Sequence, residues 1–461
     1  MPSNPALDRV HAYAVDYLAK LPARPVYPSV TRAELLSMMG GPLPKSGEAP
    51  EQVVERLIAA GDRAAVAMAG PRYFGFVIGG SLPAAVAADW LTSTWDQNAG
   101  LWVGGPAAAV AEEVAAGWLR EIFGIPATAS VGFVTGGQMA NFTALAAARD
   151  AVLRRAGIDP VDAGLQNAPP ITVVVGEEAH ATIFAALRML GIGLRQVVRV
   201  PSDDQGRMRA ELLPAALEPI KGPVIVCAQA GNVNSGSFDP IDAVAQATKA
   251  KGAWLHVDGA FGLWAAASPK TRALVRGVER ADSWATDAHK WLNVPYDSGL
   301  VFVADAKSHR AAMALSAAYL PPGEGGERDA SEWTPELSRR ARGFDVWAAL
   351  RSLGTDGVAA LVERTCGIAR RMAERLREGG RVEILNDVVL NQALVRFLPK
   401  DGGDADAYTR EVIARVQKEG TCWVGGTVWR GKGAMRISVS NWSTTEADAD
   451  RSVDAMLAAA K

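Results

Sequence analysis

Ser283-Trp284-Ala285-Thr286-Asp287-Ala288-His289-Lys290-Trp291 and, upstream of it, His256-Val257-Asp258-Gly259-Ala260 are the stretches on which the reading of this chain turns. An acid that closes one β-strand, followed by a His-Lys pair, is the arrangement that a pyridoxal 5'-phosphate (PLP) site requires. The lysine forms a Schiff base with the cofactor aldehyde, and the acid pairs with the protonated pyridine nitrogen so that the ring can accept electrons. Each residue alone has an ordinary explanation. A lysine near an aromatic ring usually lies on a solvated face, and a strand-end Asp usually caps a helix. Their order, on strand ends and behind matching phosphate and ring-stacking elements, carries the cofactor reading.

The 461 residues exceed one ordinary domain, and 49% hydrophobic with 21% charged residues describe a globular protein with a substantial core. A formal net charge of -2 has no basic excess, so a small-molecule partner is expected rather than nucleic acid or an anionic membrane surface. Cys227, Cys366 and Cys422 are too widely spaced for a disulfide framework or a metal cluster; no metal site is expected, and the setting is a reducing cytoplasm. The first residues lack a basic region followed by an apolar one, and no run of about 18 apolar residues occurs, so a soluble, unprocessed protein is expected.

Residues 1–75 read as amphipathic helices broken by Pro-rich and Gly-Gly-Pro turns. Such an arm is not stable alone and is expected to pack on a second copy of the chain. Residues 76–355 read as a large α/β domain. Its apolar runs at 171–175, 196–200, 224–228, 254–258 and 300–303 lack strict alternation, which suits a mainly parallel sheet sandwiched by helices. Function then belongs at the strand ends. A Gly- and charge-rich stretch within about 318–335 reads as a mobile loop, and residues 356–461 as a smaller α+β domain with strands near 389–397 and 434–439.

The segment Phe133-Val134-Thr135-Gly136-Gly137-Gln138 opens an Ala-rich helix. Glycines there let the backbone approach a phosphate, with the first-turn amides of Gly136, Gly137 and Gln138 as donors. His180 follows a strand and is placed to stack on the pyridine ring, its ordinary alternative being a surface or capping histidine. The small Ala260 leaves room beneath the ring, and the cation on the cofactor nitrogen should lower the pKa of Asp258. Asn232 is expected to donate to the cofactor phenolate, although an Asn in a Gly-Ser-rich turn has a structural role to hand.

These residues, in this order, resemble the group II PLP-dependent decarboxylases, which include aromatic-L-amino-acid, histidine and glutamate decarboxylases. That resemblance implies the PLP-dependent transferase-like fold type I. It covers about Pro71 to the carboxyl terminus, with His289-Lys290-Trp291 the most specific piece. By it Lys290 is the Schiff-base lysine, His180 stacks on the cofactor, Asp258 binds its nitrogen and His289 helps hold the phosphate. It also implies a homodimer with shared active sites, Gly354 completing the phosphate site of the neighbouring subunit. Two departures stand out. Asp287-Ala288-His289-Lys290 has an acid where the aromatic-amino-acid enzymes show Asn, and Asp329-Ala330-Ser331-Glu332-Trp333 has Ala330 where they carry a tyrosine that returns a proton to Cα.

The reaction implied is decarboxylation of an L-amino acid to its amine and carbon dioxide. With the loop phenol missing, Tyr319, Ser331, His180 or water is left to return the proton, and Ala330→Tyr is expected to raise the ratio of amine to carbonyl product. The alternatives are another PLP reaction at Cα (transamination, aldol-type cleavage or decarboxylation-dependent oxidative deamination) and a non-catalytic PLP-binding protein. Tyr73, Phe76, Trp95 and Trp102 offer aromatic walls for a substrate pocket, with core packing as their ordinary role, and Arg436 is a candidate for a substrate carboxylate with a structural ion pair as its own.

Overall fold

The computed structural model describes residues 4–315 and 326–461. Tyr319 and the first part of the expected loop lie outside the described residues. Among those described, a seven-stranded sheet forms the centre: β1 (Ser130–Val134), β2 (Thr172–Gly176), β3 (Val197–Val200), β4 (Val224–Gln229), β5 (Trp254–Asp258), β6 (Ser283–Asp287) and β7 (Gly299–Val303), in the order β1-β7-β6-β5-β4-β2-β3. Strands β3, β2, β4, β5 and β6 run parallel, while β7 is antiparallel to both β6 and β1. Alternation along each strand feeds two cores. Val173, Val175, Ile225 and Cys227 face the Gly137–Arg155 helix, while Val174, Val226, Leu300 and Phe302 pack with Leu119, Trp264 and Val346 on the other face. That double burial explains the continuous apolar runs.

The sequence runs expected as strands fall within a residue or so of β2, β3, β4, β5 and β7. β1 and β6 were not singled out, because Ser283–Asp287 has only Trp284 and Ala285 as apolar members. Its polar residues are nonetheless buried, with Ser283 Oγ accepting from Trp254 Nε1 at 2.9 Å. The register places the functional ends together. Gly299 sits opposite both Asp287 and Val134, so the exits of β1, β5 and β6 open on one edge of the sheet.

A second, antiparallel sheet of β8 (Val382–Ile384), β9 (Gln392–Phe397), β10 (Gly425–Trp429) and β11 (Lys432–Ser438) has the order β10-β11-β9-β8 and its own core, which includes Phe74, Met372, Val395, Ile437 and Val453. The helix Gly343–Gly379 serves both cores. Its residues from Val346 to Cys366 pack into the large one and those from Ile368 to Leu376 into the small one, with a break at Gly354, whose φ is 62°.

Of the amino-terminal helices Pro5–Lys20, Arg32–Met39 and Pro50–Ala64, the first is capped by the Asn4 side chain, the second by a reciprocal capping box of Thr31 and Glu34, and the third starts on a proline without a side-chain cap. They pack mainly on one another, with Arg24 and Tyr13 both bonded to Asp62. Ala60 is their one buried residue, and Leu7, Val15, Leu36, Met39 and Leu57 stay exposed.

Candidate active site

The turn after β6 is pinned before any side chain acts. Asp287 donates its N–H to Ala260 O at 2.9 Å, and its own carbonyl accepts from Trp264 Nε1 at 3.0 Å. His289 Nδ1 accepts from Ser298 N at 3.0 Å, which leaves Nε2 as the protonated nitrogen, 3.3 Å from Asp287 Oδ1. Burial lowers the pKa of His289 and keeps it neutral at pH 7. Lys290 Nζ lies 2.7 Å from Asp287 Oδ2, and Gly137 N donates to Oδ1. The expected Gly136-Gly137 cradle thus meets the expected lysine and histidine. A Cβ on Gly136 would stand 3.1 Å from His289 Cε1, so a side chain there would press on the imidazole. The Gln138 side chain turns outward to Met189, and only its backbone belongs to the cradle.

On the neighbouring strand Asp258 is buried. Its Oδ1 accepts from Ala260 N at 3.2 Å and its Oδ2 from Asn141 Nδ2 at 3.2 Å. Behind Asn141 stands a relay: Asn141 Oδ1 meets His256 Nε2 at 2.9 Å, and His256 Nδ1 meets Ser283 Oγ at 3.0 Å. Burial pushes the His256 pKa down to about 3, so the imidazole is neutral and its Nε2–H fixes which way the Asn141 amide points. Burial also raises the pKa of Asp258, against the pull of His180, Lys290 and these hydrogen bonds. The lowering expected from an adjacent cation is not present in the protein by itself, because desolvation outweighs the charges around it.

His180 has the capping role. It caps the Ala181–Met189 helix, Nδ1 accepting from Thr182 N at 3.4 Å and pairing with Thr182 Oγ1 at 2.8 Å. Its ring also sits in the field of Asp258, Lys290 and Arg436, with burial holding its pKa low. Arg436 Nη1 donates to Val233 O at 2.9 Å, while its buried Nε has no hydrogen-bond partner among the described residues.

Other expectations are corrected. Asn232 has no amide hydrogen left for a cofactor. Its Nδ2 donates to Gln229 Oε1 and Glu178 O, and its Oδ1 accepts from Asn234 N and Ser235 N, an Asx turn that builds the loop after β4. The aromatic candidates divide into two groups. Tyr73 stacks on Trp423 with ring centroids 5.0 Å apart and Phe76 lies over the same indole, while Gly79 packs against the Lys290 carbonyl, so this segment passes beside the lysine. Trp102 and Ala330 are elsewhere. Trp102 N donates to Asp329 Oδ1 at 2.7 Å, Ser331 N donates to Gly100 O at 2.9 Å, and Ala330 is buried in the turn between them, secured by Arg328 on Val131 O and over Trp333. Trp95 packs on Phe344. Gly354 lines a surface pocket with Trp118, Arg272 and Arg351. Within this chain neither Trp102, Ala330 nor Gly354 joins the lysine cluster.

Asn141, His256, Trp423 and Tyr296 were given no role from the sequence. Asn141 stands one helical turn beyond Gly137, and His256 two residues before Asp258 on the same strand face, spacings that could have flagged both. Tyr296 stacks on His289 at 4.2 Å with more than half of its surface exposed; desolvation of the rest, and then the Asp287 charge, raises its phenol, which is neutral at pH 7.

The family model of the pyridoxal-dependent decarboxylase conserved domain matches residues 53–398. The chain belongs to this family. An aromatic-L-amino-acid decarboxylase of Bacillus atrophaeus is 27% identical over 443 residues, covering 94% of this chain and 90% of the relative. The L-2,4-diaminobutyrate decarboxylase of Rhizobium meliloti is 30% identical over 380 residues, covering 81% of this chain and 74% of the relative. The crystal structure of Oryza sativa TDC with PLP and tryptamine shares the fold at a TM-score of 0.92 and 24% identity, over 100% of this chain and 99% of that one.

This decarboxylase is therefore a PLP-dependent carboxy-lyase that acts on an amino acid. Its residues fit the cofactor: a buried carboxylate whose burial calls for a cationic partner, glycine amides at a helix amino terminus, and a lysine between them. Among the described residues no helix is long and apolar enough to cross a membrane, and no group of three or more His, Cys, Asp or Glu is arranged to hold a metal ion.

Proposed function

We propose that this decarboxylase removes the α-carboxylate of an L-amino acid, with Lys290 as the covalent anchor of the cofactor. Asp258 holds the pyridine nitrogen, His180 covers the ring, Ala260 lies beneath it, and Gly136, Gly137, Gln138 and His289 face the phosphate. The observation that supports this reading best is the meeting of Lys290, His289 and the Gly136–Gly137 turn around Asp287, with Asp258 and His180 lining one cavity. Bound PLP supplies an electron sink for the pair released when carbon dioxide leaves. The protein keeps that sink charged by presenting a fixed carboxylate at the nitrogen, and the Asn141–His256 relay stops that carboxylate from turning away.

Tyr73, Phe76, Trp423 and Tyr296 support an aromatic side chain on the substrate, as in the Bacillus relative, and Arg436 is the cation available to an acidic group. The exposed apolar faces of the amino-terminal helices support a homodimer in which Gly354 of one protomer completes the site of the other. Three free, buried thiols support a cytoplasmic setting. A panel of L-amino acids assayed for carbon dioxide, amine and carbonyl product tests the reading, with borohydride reduction and peptide mapping to locate the anchor. Amine and carbon dioxide in equal amounts are expected, with the label on Lys290. A keto acid that retains its carboxylate, or a label on another lysine, would overturn it.

A second reading, oxidative release of an aldehyde after decarboxylation, with dioxygen as the electron acceptor, hydrogen peroxide as its reduced product and the nitrogen leaving as ammonia, is favoured by the burial of Ala330, since no phenol reaches the site from that position. Tyr296 is the neutral phenol that stands at the site. If it returns the proton, Tyr296→Phe shifts the product from amine toward carbonyl; an unchanged ratio removes it from that role.

A further inference from the structure

The cofactor cradle already holds an anion of the protein's own. Asp287 is almost wholly buried, and its carboxylate accepts from Gly137 N–H, faces His289 Nε2 at 3.3 Å and pairs with Lys290 Nζ at 2.7 Å. The first two are donors that a phosphate would use, a first-turn amide and an imidazole N–H, and the third is the amine that the cofactor aldehyde would take. The carboxylate lies against the first turn of the helix. A Cβ built on Gly137 would stand 2.7 Å from Asp287 Oδ2. The backbone of Asp287 is held at both its N–H and its carbonyl, by Ala260 and Trp264, so only rotation of the side chain can clear the space.

We propose that Asp287 is an internal competitor for the cofactor phosphate, occupying the cradle and partnering Lys290 until PLP enters, and that it sets how tightly the cofactor is retained. This rests on the assignment of Lys290 and the Gly136–Gly137 turn to the cofactor. Entry of a phosphate requires Asp287 to give up the Gly137 amide and to keep its charge beside a second anion, which is unfavourable at any separation inside the cradle. Asparagine has the same shape, lacks the charge and offers N–H donors to a phosphate.

The test compares full-length wild-type and Asp287→Asn holoenzymes. Cofactor release after dilution is followed by the absorbance of lysine-bound PLP, and affinity by titrating PLP back into the stripped proteins. The asparagine variant is expected to bind PLP about tenfold more tightly, equivalent to ~1.4 kcal/mol, and to release it more slowly. Pyridoxal, which lacks the phosphate, discriminates the cause: its binding should gain much less. Inorganic phosphate alone should bind the stripped variant more tightly than the stripped wild type. Equal or weaker retention of PLP in Asp287→Asn overturns the proposal, as does an equal gain for pyridoxal, which would mean that Asp287 acts on Lys290 alone. Should the asparagine protein fold poorly by its thermal melt, Asp287→Ser removes the same charge and must move retention the same way. The readout is cofactor binding and not carbon dioxide, so failure of the carboxy-lyase reading would be seen separately.

Discussion

Asp258 shows how much of a site is made by residues that never touch a substrate. Its two oxygens have one amide and one side-chain donor, and the side-chain donor is itself held by a neutral histidine. Asp258→Asn should therefore leave the fold intact while cutting turnover by about 10²-fold or more, since an amide cannot hold the pyridine nitrogen protonated. Near-wild-type rates would show that Asp258 only ties β5 to its neighbours. Asn141→Ala leaves both the buried His256 Nε2–H and an Asp258 oxygen without their partner, a loss of about 1–3 kcal/mol. A thermal midpoint equal to the wild type would show that water or another side chain takes over the relay. Lys290, Asp258 and His180 were singled out in the sequence by their order on strand ends, each having an ordinary explanation when taken alone. The relay was not, because Asn141 and His256 are 115 positions apart and meet only across the packed sheet.

Elements were legible in proportion to their hydrophobic content. The Val- and Ile-rich strands β2 and β4 announce themselves, whereas β6 carries the lysine on a strand of mostly polar and small residues that gains its burial from neighbours. The turn at Ala330–Glu332 was the least legible. Its Gly- and charge-rich surroundings read as mobile, yet buried pairs dock it: Arg339 on Glu112 at 2.5 Å and on the Phe133 carbonyl at 2.6 Å hold the following segment against β1. Position 330 has no space for a ring. Ala330→Tyr is accordingly expected to destabilise the protein by about 1–3 kcal/mol through overpacking and to leave the ratio of amine to carbonyl product unchanged, contrary to what the loop alignment suggested. A raised ratio with an unchanged thermal midpoint would show that this turn leaves its dock and reaches a site.

For the whole molecule, acid is the informative stress. Burial pushes both His256 and His309 down to about 3, against about 6.5 in an unfolded chain. Each is a base whose folded pKa is depressed, so the unfolded chain binds the extra proton between these values. Stability from this source is complete above about pH 6.5 and is lost as pH falls toward 3, by on the order of 1.4 kcal/mol per pH unit for each histidine. His309→Asn keeps a partner for Ser130 Oγ and removes one titrating group. Thermal midpoints measured from pH 7 to pH 4 should fall less steeply in that variant; an identical slope would place the acid sensitivity elsewhere. The two sheets differ in strand pattern, and the segment Gly343–Gly379 that runs between their cores is a pair of helices meeting at Gly354, whose φ of 62° and ψ of -178° are not helical. That shared segment has a consequence for dissection. Because Val346 to Cys366 wall one core and Ile368 to Leu376 the other, a chain severed between them would expose apolar surface on both sides of the cut.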